Sequence, residues 1–214
     1  MDSNLQAFEK GHKNFQNVSF NKSKKRFKRL IEKGQSPKAL FIGCSDSRVM
    51  PAMITGSKPG DLFIVRNIGN FVAPYKPDED FHATASAIEY ATSILEVSDI
   101  IVCGHSHCGA IEALYKNIKE TNENTHTLKW LELGNEAKKV AMLAHKDDDK
   151  ERMLRYTEKI SVVYQLDNLL TYPGVKRRVD EGTLFLHGWH YDIKQGDISC
   201  YDDENYEFKP LSHK

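Results

Sequence analysis

A chain of 214 residues, 40% hydrophobic and 28% charged, has the size and balance of one α/β domain with a sizeable core. Thirty basic residues against thirty acidic ones leave no net charge, which argues against nucleic acid or an anionic membrane as the main partner. The opening residues Met1 to Gln6 hold no apolar leader and no apolar run is long enough to cross a bilayer, so a cytoplasmic protein is expected.

In chain order, residues 4–34 space Leu5, Phe8, Phe15, Phe20, Phe27, Leu30 and Ile31 among polar residues, which predicts two amphipathic helices broken near Asn17-Val18-Ser19. Lys22, Lys24, Lys25, Arg26, Lys28 and Arg29 are read as the solvated face of the second, not as a nucleic-acid patch. Gly34 stops that helix, and a first strand follows from Ala39 to Gly43. A short helix over 49–54 and a Lys58-Pro59-Gly60-Asp61 turn lead to a second strand, Leu62 to Arg66, and then a loop to Pro77. Apolar positions 81, 85, 88 and 95 predict a helix from Phe81 to Val97, before a strand starting near Asp99. Strand, helix, strand in this order calls for a parallel sheet with right-handed crossovers.

Further helices are predicted at 109–118, 128–145 and 150–171, the last two with stripes Leu133, Ala137, Val140, Ala144 and Ile160, Val163, Leu166, Leu170. A solvated turn at Asp147-Asp148-Asp149 separates them. Pro173 starts a short helix, Thr183 to Trp189 is a strand, and the tail predicts a hairpin around Gln195-Gly196 or Asp202-Asp203. The expected fold is therefore α/β: a mainly parallel central sheet flanked by helices, with N-terminal helical arms over 1–34, a core over 35–214 in one domain, and a C-terminal antiparallel strand or hairpin.

Two strands end in chemistry. The first runs into Cys44, Asp46 and Arg48; the run Asp99 to Cys103 ends in His105 and Cys108. Four cysteines, at 44, 103, 108 and 200, are too scattered for a disulfide framework. Two thiols and an imidazole at strand ends instead suggest a catalytic zinc site, because a structural site closes with four protein ligands. Beyond the carboxyl ends of parallel strands is also where open α/β sheets bind ligands. Two thiolates cancel the charge of the ion, so help from neighbouring groups is expected. Asp46, gripped by Arg48, either accepts a hydrogen bond from zinc-bound hydroxide or swings in as a fourth ligand; the plainer alternative is an ion pair that ties down a loop.

With C-S-D-S-R from Cys44 to Arg48 and H-S-H-C from His105 to Cys108, the chain resembles the β-class carbonic anhydrases. The likeness extends through Gly34-Gln35-Ser36-Pro37-Lys38, Arg66-Asn67, Glu89-Tyr90 and His187-Gly188-Trp189. The resemblance implies reversible hydration of carbon dioxide to bicarbonate and a proton by zinc-bound hydroxide, with one Zn2+ per chain on Cys44, His105 and Cys108 and an Asp46–Arg48 catalytic dyad. It also implies substrate contacts from Gln35, Phe63, Tyr90 and Gly109, and a homodimer or dimer of dimers in which the N-terminal helices embrace a partner. One subgroup, inhibited by bicarbonate, has a tryptophan where this chain has Phe41, so the open form with water as fourth ligand is expected, although Arg66 and Tyr191 match other members of that inhibitory site. Relatives with the same motifs hydrolyse carbonyl sulfide or carbon disulfide, and a non-catalytic zinc or bicarbonate binder is the rival from another class. Cys103 is read as a buried small apolar group, and none of the remaining histidines is singled out as a proton shuttle.

Overall fold

The computed structural model describes residues 3–78, 80–146 and 149–211 and divides into two units between Ser36 and Pro37. In the first, α1 (Ser3–Asn14) and α2 (Asn21–Lys33) are joined by a π-helical stretch at Phe15–Phe20. The break predicted near Asn17 to Ser19 is absent: Asn14 and Asn21 both keep helical φ and ψ. Neither glycine nor proline interrupts the segment, and a π segment absorbs the change of phase that looks like a break in the apolar pattern. Phe15 and Phe20 pack ring against ring, as do Phe20 and Phe27. Ile31, counted in the apolar stripe, is exposed instead, as are Leu5 and Phe8. Gly34, at φ 77°, ends α2 in a conformation that costs a side chain strain.

The second unit is built on a six-stranded sheet: β1 (Ala39–Cys44), β2 (Leu62–Asn67), β3 (Asp99–His105), β4 (Phe185–Tyr191), β5 (Ile198–Asp202) and β6 (Glu207–Pro210). Their spatial order is β2-β1-β3-β4-β5-β6; the first four pair in parallel, and the β4–β5 and β5–β6 pairings are antiparallel. The tail, expected to form one hairpin around either Gln195-Gly196 or Asp202-Asp203, turns back at both places. Continuous apolar runs suit strands covered on both faces, and every residue of β1 is buried. Leu40, Ile42, Ile100 and Val102 face one core, with Val162 and Leu169; Phe41, Ile101 and Cys103 face the other.

Around the sheet lie α3 (Pro51–Thr55), α4 (Ala83–Glu89), α5 (Gly109–Leu114), α6 (Thr125–Leu131), α7 (Asn135–Ala144), α8 (Lys150–Leu169) and α9 (Pro173–Asp180). The long prediction from Phe81 to Val97 resolves into α4 and a π segment at Tyr90–Ile94, and that over 128–145 into α6, a 3-10 turn and α7. The Asp147 and Asp148 part of the predicted turn lies outside the described residues, while Asp149 caps α8 by accepting from the Arg152 amide at 2.9 Å.

The α8 stripe expected at Ile160, Val163, Leu166 and Leu170 is only partly buried. Its deep face is Leu154, Thr157, Glu158, Ser161, Val162, Gln165 and Leu169. Polar residues occupy that face because they serve other segments: Gln165 accepts from the Val72 amide at 2.8 Å and Thr157 bonds Tyr115 at 2.7 Å. The helix approaches the sheet over Gly104, where a Cβ would meet Val162 Cγ2 at 2.7 Å. A side chain at 104 would hold α8 off the sheet and away from the site.

Candidate metal centre

β1 connects to β2 on one side and the chain then crosses to place β3 on the other, so β1 and β3 flank the point where strand order reverses. At such a switch point the loops diverge and leave a crevice. Cys44 is the last residue of β1 and His105 the last of β3, and Cys108 follows three residues on, just before α5. The ligand atoms of the three all lie within 4.8 Å of one another, and all three residues are buried.

The donor set fits a soft divalent cation. His105 Nδ1 donates to the Ser106 carbonyl at 2.9 Å, which fixes the tautomer and leaves Nε2 a bare acceptor. That Nε2 is buried and has no hydrogen-bond partner among the described residues. An orphaned imidazole nitrogen facing two thiols is costly unless a cation takes its lone pair. The Cys44 thiol is pulled well below its ordinary value, first by the Cys108 S–H beside it, and the same contact with burial pushes Cys108 up.

Asp46 and Arg48 pair through three hydrogen bonds. Arg48 gives Asp46 Oδ1 its backbone N–H at 3.0 Å and its Nε–H at 2.9 Å, and gives Oδ2 an Nη2–H at 2.7 Å. These donors hold the Asp46 carboxyl well below the usual carboxylate range. The same Nη2 donates to the His107 carbonyl at 2.9 Å, tying the first motif to the second. Arg66, on β2, donates to the Cys44 carbonyl at 3.0 Å and the Asp46 carbonyl at 2.6 Å, which fixes the turn after β1.

Not every expected residue joins the cluster. Phe63 and Tyr90 stack on each other, ring centroids 5.8 Å apart, and Tyr90 is 44% exposed. Gln35 is an exposed residue of the first unit, and Gly109 is the first residue of α5. Phe41 is buried edge-on against Trp189. A cleft of about 940 Å³ reaches Ser45, Asn67 and Ile68 and is walled by Trp130, Phe81 and Tyr172. Cys103 is buried, and burial pushes its thiol up to about 12, as fits a packing residue.

Reading the sequence misses Glu158. It is buried in α8, accepts from the Cys108 amide at 3.1 Å, and is paired with Arg155 at 2.8 Å and His190 at 3.3 Å. The only local signal is a carboxylate where helical phase calls for an apolar residue.

Residues 39–198 match the family model described as Carbonic anhydrase. Over 202 residues the chain is 39% identical to a carbonic anhydrase of Pseudomonas aeruginosa, covering 94% of this chain and 90% of that one. Against a carbonic anhydrase of Synechocystis sp. it is 36% identical over 204 residues, covering 95% and 73%. Its structure is similar to that of the β-carbonic anhydrase CcaA, with a TM-score of 0.89 at 35% identity over 100% of this chain and 94% of that one. One of two tetrameric β-carbonic anhydrases of Sordaria macrospora gives 0.80 at 26% identity, covering 99% and 98%. Among the described residues no helix is long and apolar enough to cross a membrane.

Proposed function

The chain belongs to the β-class carbonic anhydrase family, and from that membership we propose that it hydrates carbon dioxide reversibly to bicarbonate and a proton, with zinc held by Cys44, His105 and Cys108. The observation that carries the proposal is the buried, unpartnered His105 Nε2 beside two thiols at the ends of adjacent parallel strands. When bound, the ion supplies the Lewis acidity that makes water a nucleophile near neutral pH.

The protein's own groups then orient that water. Asp46 Oδ1 already accepts two donors from Arg48, whereas Oδ2 accepts one, so Oδ2 keeps an acceptor position for the proton of the attacking water. A carboxylate kept ionised and fixed in plane turns the water's lone pair toward the substrate carbon and costs no reorganisation during reaction. Because both oxygens of Asp46 are engaged by Arg48, the arrangement supports the form in which Asp46 is not a metal ligand. Phe41, standing where the bicarbonate-inhibited subgroup has a tryptophan, supports the same form.

Gln35, Phe63, Tyr90 and Gly109 are proposed to bind substrate in an assembly, with Phe63 and Tyr90 offered to a neighbouring subunit as an apolar wall suited to carbon dioxide. Exposed Leu5, Phe8 and Ile31 on the helical unit, with Ile64 and Ile94 on the core unit, support a homodimer or a dimer of dimers. A cytoplasmic location completes the reading, and cell fractionation checks it. Stopped-flow carbon dioxide hydration tests the activity: zinc-loaded protein is expected to exceed buffer, and Asp46→Ala to fall about 100-fold or more below it. Equal rates for the two, or none above buffer, would overturn the proposal.

A further inference from the structure

The His107–Cys108 peptide group is held at both ends. Its carbonyl accepts Arg48 Nη2–H at 2.9 Å, and its N–H donates to Glu158 Oε1 at 3.1 Å. His107 sits at φ 57°, a conformation that a side chain adopts only at a cost and that persists where the surroundings over-determine it. The preceding residue is tied as well: the Ser106 amide donates to the Tyr191 carbonyl and its hydroxyl accepts from the Ile193 amide, each at 2.9 Å.

Glu158 is an expensive way to supply one acceptor. Its side chain is 1% exposed, and the cost of burying a carboxylate is offset by Arg155 Nη2 at 2.8 Å and His190 Nε2 at 3.3 Å, beside the Cys108 amide itself. Arg155 in turn leaves Nε and Nη1 buried with no hydrogen-bond partner among the described residues. The same helix face carries Leu154 and Val162, so an apolar residue at 158 would match its neighbours if packing were all that was required.

Resting on the zinc reading of the site, we propose that Glu158 is a positioning residue for Cys108: through the Cys108 amide it fixes the peptide that orients one metal thiolate and anchors the dyad arginine. Glu158 touches neither substrate nor metal. Its contribution is to the rigidity of the ligand turn, and it appears first in how long the metal stays.

The test compares the wild-type zinc protein with two double variants that remove the buried ion pair together, so that neither charge is stranded. Glu158→Leu with Arg155→Met leaves the Cys108 amide without an acceptor; Glu158→Gln with Arg155→Met keeps an amide oxygen for it. Zinc transfer to excess pyridine-2,6-dicarboxylate is expected to be about 10- to 100-fold faster from the leucine variant than from wild type and close to wild type from the glutamine variant. With cobalt(II) in place of zinc, the thiolate-to-metal absorption band should shift in the leucine variant alone. Wild-type rates in the leucine variant, or equally fast loss from both variants, would overturn the proposal. Should the leucine variant not fold, amide exchange at Cys108 in the unmodified zinc protein decides: slow exchange supports the clamp, and exchange at open-loop rates removes it. A wild-type chain that takes up no zinc overturns the metal reading itself and the role of Glu158 with it.

Discussion

Asp46 and Arg48 show how much two residues can settle at short range. Three donors from one arginine reach two oxygens of one carboxylate, and the guanidinium's remaining reach goes to the His107 carbonyl. A lysine has the charge but not the planar fork, so it cannot hold both oxygens and the carbonyl at once. Arg48→Lys is therefore expected to lower kcat/KM for carbon dioxide by about 10- to 100-fold, the worth of one or two hydrogen bonds to a charged group, with zinc still bound. An unchanged rate in stopped-flow assays would show that orientation of Asp46 is not limiting. Cys44, Asp46, Arg48, His105 and Cys108 were legible in the sequence because each stands within a few residues of an apolar strand that ends too soon. Glu158 was not, because it lies 50 residues from the amide it serves and nothing in local spacing connects them.

At the scale of elements, strands read more faithfully than helices. Runs such as Leu40 to Ile42 and Ile100 to Val102 are buried on both faces and leave little room for misassignment. Periodicity does not show the α8 face because it counts apolar residues, whereas Gln165 and Glu158 are buried to accept from the amides of Val72 and Cys108, and Thr157 to bond Tyr115. The C-terminal hairpin adds an electrostatic device of its own. At the end of β5, Lys209 of β6 and Asn205 of the intervening turn hold the Asp202 carboxyl down to about 2. A folded-state value below the unfolded one means that stability is present above the unfolded value and lost as pH falls through the folded one. Wild type should therefore exceed Asp202→Asn in urea unfolding by a margin that is flat from pH 7 to about 4 and shrinks only below that. A margin already closing between pH 6 and 5 would assign it to another group.

For the whole molecule, the sheet explains why the chemistry is where it is. Strand order reverses between β1 and β3, and both motifs leave the sheet at that point. The parallel sheet, its antiparallel end and the gathering of Cys44, His105 and Cys108 were all readable from strand endings and strand–helix alternation. The proposed assembly comes from the family resemblance, with the exposed apolar residues Leu5, Phe8 and Ile31 in its support. Light scattering is expected to give two or four times the 24.4 kDa of the chain, and a mass of one chain would contradict the proposed shared pocket. The most direct measurement of the central claim is X-ray absorption at the zinc edge of the purified protein. Convergence of Cys44, His105 and Cys108 on one ion predicts two sulfurs near 2.3 Å, one imidazole nitrogen at about 2.0–2.1 Å and one further light atom; a shell of four sulfurs, or of oxygen and nitrogen alone, would contradict it.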